Sequence, residues 1–263
     1  MPQHRNTSRV IALLTDFGVN DEYSGVIKGV ILSIAPLATI VDITHNVDPQ
    51  NIEEAGYLLW AAYRHFPEGS VFVSIVDPGV GTRRRILAVQ AGGRIFVAPD
   101  NGILDFVLSE EKVRAAVQLR TEGAFAHKEV SHTFHGRDIF APAAAWLAAG
   151  IPLSKLGVRR TISPVHSPFV DSFEEGDAGT VLHVDRFGNI ITNFRRKKTA
   201  EGNGVLLGGR KVKRWIRNYE EAPGTEPCLI VGGTGLVEIV VRGDSASRVL
   251  GIRKGSALRV IGG

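Results

Sequence analysis

VFVSIVDPGVGT, residues 71–82, joins a continuous apolar run to an acidic turn rich in glycine. An uninterrupted apolar run of this length, rich in β-branched residues, predicts a strand that is buried on both faces. Asp77-Pro78-Gly79 suits a type II turn, with proline at the first central position and glycine at the second. Asp77 is therefore expected at the carboxyl end of a buried strand.

The residues that precede this stretch alternate between strand-like and helix-like patterns. Residues 9–15, RVIALLT, predict a buried strand, and the β-branched run at 39–43 predicts another. Between them, apolar residues at helical spacing predict a helix over 22–35, and Asn51 is expected to cap a second helix. The strand–helix–strand order is typical of a parallel sheet with both faces covered.

The carboxy-terminal part of the chain has a different pattern. Residues 156–178 contain scattered prolines and little periodicity, which indicates a linker. From residue 179 onward, short β-like runs alternate with glycine turns, as in a small sandwich or barrel. We therefore expect a parallel-sheet α/β domain at 1–155, a linker at 156–178 and an all-β, barrel-like domain at 179–263.

The composition favours a protein that binds neither nucleic acid nor membranes. The net charge is +4, but the basic runs at 83–85 and 195–198 are separate and have no interleaved aromatic residues. The longest apolar stretch, 29–43, contains a proline and an aspartate and is too short to span a bilayer. The one cysteine, Cys228, excludes an intrachain disulfide and favours the cytoplasm.

Polar residues follow the predicted strands, at the edge where parallel α/β sheets bind ligands. Each is compatible with a structural role, such as an aspartate that caps its own loop. They are also compatible with an organic ligand, or with the two-metal site of a phosphoesterase. The residues that would form the metal site are Asp16, Asp42, His45, Asp77, Asp100, Asn101 and His135.

The glycine-rich turn after Asp77 does not predict a nucleotide-phosphate loop. A dinucleotide fingerprint needs a third glycine where Arg84 stands, and no Gly-Lys-Ser/Thr follows. An arginine of the run 83–85 is instead close enough in sequence to fold back and bind the Asp77 carboxylate.

Taken together, the motifs resemble the family of S-adenosyl-L-methionine (SAM) hydrolases, also called SAM hydroxide adenosyltransferases, which are related to the bacterial fluorinase and chlorinase. The resemblance spans 10–260. It is carried, in order, by TDFG (15–18), VDITH (41–45), VDPGVGT (76–82), APDNG (98–102), TFHGRD (133–138) and D-FGN-ITN (185–193).

This resemblance implies an enzyme that splits SAM into adenosine and L-methionine by attack of water at C5′, without a cofactor or metal. It implies a homotrimer whose active sites lie at subunit interfaces. The related halogenases have tyrosine at the position of Asp77 and threonine at that of Val80, so halide transfer is the disfavoured alternative.

The resemblance also assigns roles to residues. Asp77, Arg84 and His135 are the implied catalytic set. The implied substrate-binding set is Asp16 for the ribose hydroxyls, Asp21 and Asp185 for the methionine ammonium, Asn189 for adenine, and Tyr23, Thr234 and Glu238.

One departure from the family pattern concerns the end of the substrate that carries the carboxylate. Gly232-Gly233 stand where the family usually has Asn-Ser, so the hydroxyl at position 233 is missing. Thr234 or backbone amides are expected to substitute for it. The departure leaves open a second alternative, a non-catalytic protein that binds adenosine or SAM.

Overall fold

The computed structural model describes residues 9–195 and 202–263. The chain divides into two compact units, Met1–His166 and Ser167–Gly263, and this boundary falls inside the predicted linker. Residues 196–198 of the second basic run lie outside the described residues. Within the described ranges, no helix combines the length and the apolar character needed to cross a membrane.

The first unit alternates strands and helices. Its strands are β1 (Val10–Thr15), β2 (Thr39–Thr44), β3 (Val71–Ile75), β4 (Ile86–Ala91), β5 (Arg94–Pro99), β6 (Val113–Leu119) and β7 (Gly157–Arg159). Its helices are α1 (Tyr23–Ile34), α2 (Ile52–Tyr63), α3 (Asp105–Leu108), α4 (Ala141–Ala148) and α5 (Leu153–Leu156), and a π-helical turn at Gly136–Phe140 leads directly into α4.

The sheet of this unit has the strand order β2-β1-β3-β5-β4-β6-β7. The predicted α/β class is confirmed, and β2, β1, β3 and β5 are parallel as expected. The sheet is nevertheless mixed, because β4 runs antiparallel to both of its neighbours. The cause is the tight turn at Gly92-Gly93, whose φ angles of 53° and 74° suit a hairpin rather than a helical crossover.

Packing of this unit follows the predicted pattern of apolar residues. Ile27 and Ile31 of α1 share a core with apolar side chains of β1 and β3, which are buried along almost their whole length. The predicted cap of α2 is present, since the Asn51 side chain accepts a hydrogen bond from the Glu54 amide at 3.1 Å. β1 and β3 pair directly in parallel, so their carboxyl ends, which carry the candidate site, lie side by side.

The second unit is an antiparallel, nearly closed sheet, which confirms the barrel-like prediction. Its strands are β8 (Ala178–Val184), β9 (Ile190–Arg195), β10 (Gly204–Leu207), β11 (Arg210–Val212), β12 (Cys228–Val231), β13 (Leu236–Val240) and β14 (Ala257–Ile261), with one helix, α6 (Ala246–Leu250), among the described residues. The strand order is β11-β10-β14-β8-β9-β13-β12. An isolated bridge pairs Trp215, which follows β11, with Leu229 of β12 and so connects the two ends of the sheet.

Candidate active site

Three polar side chains meet at the carboxyl end of β3. Asp77 follows the strand, and Arg84 returns after the glycine turn to place its Nε 2.8 Å from each Asp77 carboxylate oxygen. Nη2 of the same arginine also contacts Asp77 and lies 2.8 Å from Nδ1 of His135. Within the basic run the partner is therefore Arg84, since Arg85 pairs with Asp100 instead.

This cluster, Asp77–Arg84–His135, is shielded from water. The Asp77 and Arg84 side chains are only 6% and 11% exposed. Because Arg84 can only donate, Nδ1 of His135 accepts, and the imidazole carries its proton on Nε2. Burial, and then the Arg84 charge, lower the pKa of His135. The cluster therefore holds an ion pair beside a neutral imidazole.

Close packing of two loops brings the distant residues of the cluster together. Gly81 has a φ of 77°, and a Cβ at this position would lie 2.3 Å from the carbonyl oxygen of His132. The loop that contains His132 is anchored by Asp138. This aspartate is fully buried and accepts hydrogen bonds from Arg137 and from the amide of Ser131. Only a glycine at 81 allows this approach, which sets the position of His135.

Asp77 and His135 open onto a cavity of about 330 Å³ that Asp16 also lines. Phe17, Tyr23 and Phe134 form an aromatic wall, with ring centroids 5.1–6.1 Å apart. The cavity therefore combines two carboxylates and an imidazole with flat apolar surfaces. Such a lining suits a ligand that has both a polar and an apolar part.

Asp16 is held by its neighbours at the ends of β1 and β2. One of its oxygens accepts the amide of Gln50 at 2.9 Å, and Gln50 has a φ of 64°, which is strained for a residue with a side chain. Thr15 contacts His45 at 2.8 Å and accepts the amide of Phe17. These contacts fix the turn and leave Asp16 acceptor capacity towards the cavity.

The other strand-end carboxylates are paired with cations. Asp42 lies 2.6 Å from Lys28, and Asp100 lies 2.6 Å from Arg85. Asn101 donates to the carbonyl of Val76. In the part of the chain that the structure describes, no three His, Cys, Asp or Glu side chains are grouped to hold a metal ion. The arrangement does not support the two-metal alternative.

A second pocket, of about 650 Å³, lies in the second unit at the turn between β8 and β9. Asp185 accepts hydrogen bonds from the amides of Phe187 and Asn189 and from the Asn189 side chain, all at 2.9 Å. Phe187 and Tyr219 line the same pocket and are 78% and 51% exposed. Exposed aromatic rings beside a fixed amide suit a flat heterocycle.

The predicted residues thus fall into three groups. Asp16, Tyr23, Asp77 and His135 line the first pocket, with Arg84 behind them; Asp185 and Asn189 line the second. The remaining three lie outside the lining of both pockets: Asp21 is exposed just before α1, and Thr234 and Glu238 belong to the β12–β13 hairpin. Their roles stay predictions.

Other residues at the pockets were not predicted from the sequence. Gln50 contributes a backbone amide, and Tyr219 lies in a short 3₁₀ turn, so neither has a local sequence signal. Phe17, Phe134 and Phe187 lie inside the motifs that carry the resemblance. Their position in the sequence, beside predicted polar site residues, was the signal from which a place in the pocket lining could have been predicted.

Comparison with known proteins identifies the family of this chain. The family model of the SAM hydroxide adenosyltransferase N-terminal domain matches residues 11–157, and that of the C-terminal domain matches 179–259. The chain therefore belongs to the SAM hydroxide adenosyltransferase family, and the resemblance inferred from its motifs is confirmed.

Individual relatives cover from three quarters to nearly all of the chain. A protein of Thermus thermophilus named (R)-S-adenosyl-L-methionine hydrolase is 39% identical, over 96% of this chain and 100% of its own length. A fluorinase of Actinopolyspora mzabensis is 32% identical over 76% of this chain and 75% of its own. The crystal structure of an uncharacterized conserved protein from Thermotoga maritima aligns with a TM-score of 0.86 at 35% identity, covering 95% of this chain and 99% of that one.

Proposed function

We propose that this protein hydrolyses SAM to adenosine and L-methionine by in-line attack of water at C5′. The observation that carries the proposal is the buried cluster Asp77–Arg84–His135, which opens onto a cavity that also contains Asp16. Membership of the family and the name of the Thermus thermophilus relative support the same reaction.

The cluster has the groups that a water nucleophile needs. The Asp77 carboxylate accepts a hydrogen bond from the water, while the Nε2 proton of His135 and the charge of Arg84 favour its hydroxide character. Attack forms the O–C5′ bond and breaks the C5′–S bond, methionine leaves with a neutral thioether, and one proton of the water passes by way of the Asp77 carboxylate to the solvent. Because an anionic nucleophile meets a cationic sulfonium, charge disappears in the transition state, and a dry pocket strengthens this attraction.

The remaining contacts orient the substrate. The two Asp16 oxygens match the vicinal hydroxyls of ribose in number and in hydrogen-bonding sense. Asn189 reads the adenine edge, and Phe187 and Tyr219 stack on its faces. Asp21 and Asp185 contact the methionine ammonium, and Thr234 or backbone amides contact its carboxylate. Tyr23 and Glu238 complete the substrate-binding set. Holding C5′ and the water in line supplies a large part of the rate enhancement.

The active enzyme is a cytoplasmic homotrimer in this proposal. Each active site combines the Asp16 and Asp77 pocket of one subunit with Asp185 and Asn189 of a neighbouring subunit. Sedimentation equilibrium tests the assembly, because a purely monomeric but active protein would contradict it.

The reaction is tested by incubating the purified protein with SAM and separating the products by chromatography. Adenosine and methionine in equal amounts are expected. The same incubation with fluoride or chloride should yield no 5′-halo-adenosine, and formation of one would place the protein with the halogenases. Binding of SAM without adenosine formation would support the non-catalytic alternative.

Asp16→Asn should raise the KM for SAM by roughly 10- to 100-fold, because hydrogen bonds to a charged acceptor contribute about 1.5–3 kcal/mol. The expected change in kcat is smaller. A 2′-deoxy substrate provides the control: it should bind weakly to the unaltered protein and lose little more with Asp16→Asn, since the interaction is already absent. If the loss of affinity caused by Asp16→Asn and the loss caused by the missing 2′-hydroxyl were additive, Asp16 would not bind the ribose.

Removal of metals should leave turnover unchanged. Asp77, Asp42 and Asp100 are each neutralised by a basic side chain, so the proposed reaction needs no ion at the strand ends. Dialysis against EDTA followed by a kinetic assay checks this point. Loss of activity that a divalent cation restores would contradict the metal-free reaction.

A further inference from the structure

His45 is a buried histidine that directly follows β2. Only 6% of its surface is exposed, and its side chain lies outside the lining of the cavity that contains Asp16. Its Nδ1 lies 2.8 Å from Oγ1 of Thr15, a residue that is itself almost completely buried. Because a buried imidazole needs partners for its ring nitrogens, its position at this corner of the sheet requires an explanation.

The second ring nitrogen of His45 faces Asp42 of β2. Nε2 lies 3.1 Å from Oδ1 of Asp42, and Oδ2 of the same carboxylate lies 2.6 Å from Nζ of Lys28 in α1. Partial burial raises the pKa of Asp42, but Lys28 and His45 together lower it by more, so this carboxyl group is ionised. Since a carboxylate can only accept, the neutral imidazole carries its proton on Nε2, and Nδ1 accepts the hydroxyl of Thr15.

The Thr15 hydroxyl connects this imidazole to the turn that carries Asp16. Its oxygen donates to His45 and accepts the amide of Phe17 at 3.2 Å. Thr15 and Phe17 are the two neighbours of Asp16 in the chain, so one hydroxyl holds the backbone on both sides of this carboxylate. Phe17 also belongs to the aromatic wall of the cavity, and the same contact therefore fixes a second part of the lining.

The loop at 45–50 holds the same turn from the other side. The carbonyl of His45 accepts the amide of Gly18 at 2.7 Å, and the amide of Gln50 donates to Oδ2 of Asp16 at 2.9 Å. Both contacts come from the loop that begins at the imidazole. A displacement of His45 would therefore move a direct partner of the Asp16 carboxylate together with the backbone on either side of it.

We propose that His45, oriented by Asp42, is a positioning residue that sets the direction of the Asp16 carboxylate through the hydroxyl of Thr15. This assignment rests on the proposed function, in which Asp16 binds the ribose hydroxyls. A carboxylate binds two vicinal hydroxyls at once only when both of its oxygens face them, so a loosely held turn binds the ribose more weakly. Because His45 acts from outside the cavity, its effect falls on affinity rather than on the chemical step.

The test uses two amide substitutions that differ in the ring nitrogen they replace. In His45→Asn the amide takes the place of Nδ1 and can still accept the Thr15 hydroxyl, whereas in His45→Gln it takes the place of Nε2 and this contact is lost. His45→Gln should weaken adenosine binding and raise the KM for SAM by roughly 3- to 10-fold, the usual contribution of one hydrogen bond, with little change in kcat. His45→Asn should keep most of the affinity. His65→Gln, at an exposed position of the same unit, is the matched control.

Ribose recognition provides a readout that a merely structural role of His45 would not change. In calorimetric titrations, His45→Gln should weaken the binding of adenosine much more than that of 2′-deoxyadenosine. In the background of Asp16→Asn, His45→Gln should cause little further loss, because the interaction that it supports is already absent. Thr15→Val, which removes the hydroxyl and keeps the shape of the side chain, should reproduce the loss seen with His45→Gln.

Thermal unfolding separates this result from a loss of stability. His45→Asn and His45→Gln should both lower the Tm, since each leaves a buried polar group without its partner, yet only His45→Gln should lose ribose affinity. The assignment would be overturned by equal adenosine affinities of the two variants, or by equal losses of adenosine and 2′-deoxyadenosine with His45→Gln. Failure of the proposed function is distinct, because the unaltered protein would then bind adenosine but form none from SAM.

Discussion

Asp77→Asn is expected to lower the turnover of SAM by about 10²–10⁴-fold, the usual contribution of a side chain that handles the reacting proton. Asparagine keeps the shape and one acceptor, but it removes the negative charge that balances Arg84 and that orients the water in the proposed reaction. Single-turnover kinetics with saturating SAM measure this loss directly. In the proposed reaction Asp77 contacts the nucleophile rather than the nucleoside, so adenosine should bind to Asp77→Asn with nearly unchanged affinity.

Calorimetric titration with adenosine distinguishes a catalytic role of Asp77 from a role in maintaining the shape of the pocket. If turnover and adenosine affinity fall by equal factors, Asp77 supports the shape of the pocket and has no catalytic role. Thermal unfolding of Asp77→Asn is the control for a loss of stability, because the buried Arg84 lacks its carboxylate partner in this variant.

Arg84→Met should have the second largest effect, a loss of about 10²–10³ in kcat, the usual size of the loss when one fixed electrostatic group beside the reacting atoms is removed. Methionine has a similar length and no charge. Arg83→Met is the matched control, because Arg83 is exposed and the contacts to Asp77 and His135 come from Arg84 instead. Equal activities of the two variants would contradict the assignment of Arg84.

The loss with Arg84→Met should increase as the pH falls. Burial and the Arg84 charge lower the pKa of His135, whereas Asp77 raises it. Without the guanidinium the pKa of His135 rises, and a larger fraction of the imidazole is protonated in mildly acidic solution. The same change leaves Asp77 buried without a partner, which costs about 3–5 kcal/mol of stability and should appear as a lower Tm.

Those parts of the fold that depend on apolar periodicity were predictable. β1 and β3 are buried along almost their whole length, and the Asn51 cap has a clear local signature. β10 and β11 were not predicted, because strands of four and three residues that include glycine or basic residues have too little pattern. β7 lies inside the predicted linker for the same reason: it has three residues and a single apolar side chain, Val158.

The candidate site was predictable to a different degree for each residue. Asp77 and Arg84 are seven positions apart around a recognisable turn, so their ion pair could be inferred locally. His135 is 51 positions beyond Arg84, and only the resemblance to a family connected them. The contributions of Gln50 and Tyr219 depend on a strained backbone amide and an exposed ring, which are properties of the folded chain.

In the proposed reaction, water held at Asp77 attacks C5′ of SAM. Reaction in water enriched in the heavy oxygen isotope, with mass spectrometry of both products, tests it most directly. One labelled oxygen is expected in adenosine, at the 5′-hydroxyl, and none in methionine. Unlabelled adenosine, or label in the methionine portion, would contradict attack at C5′.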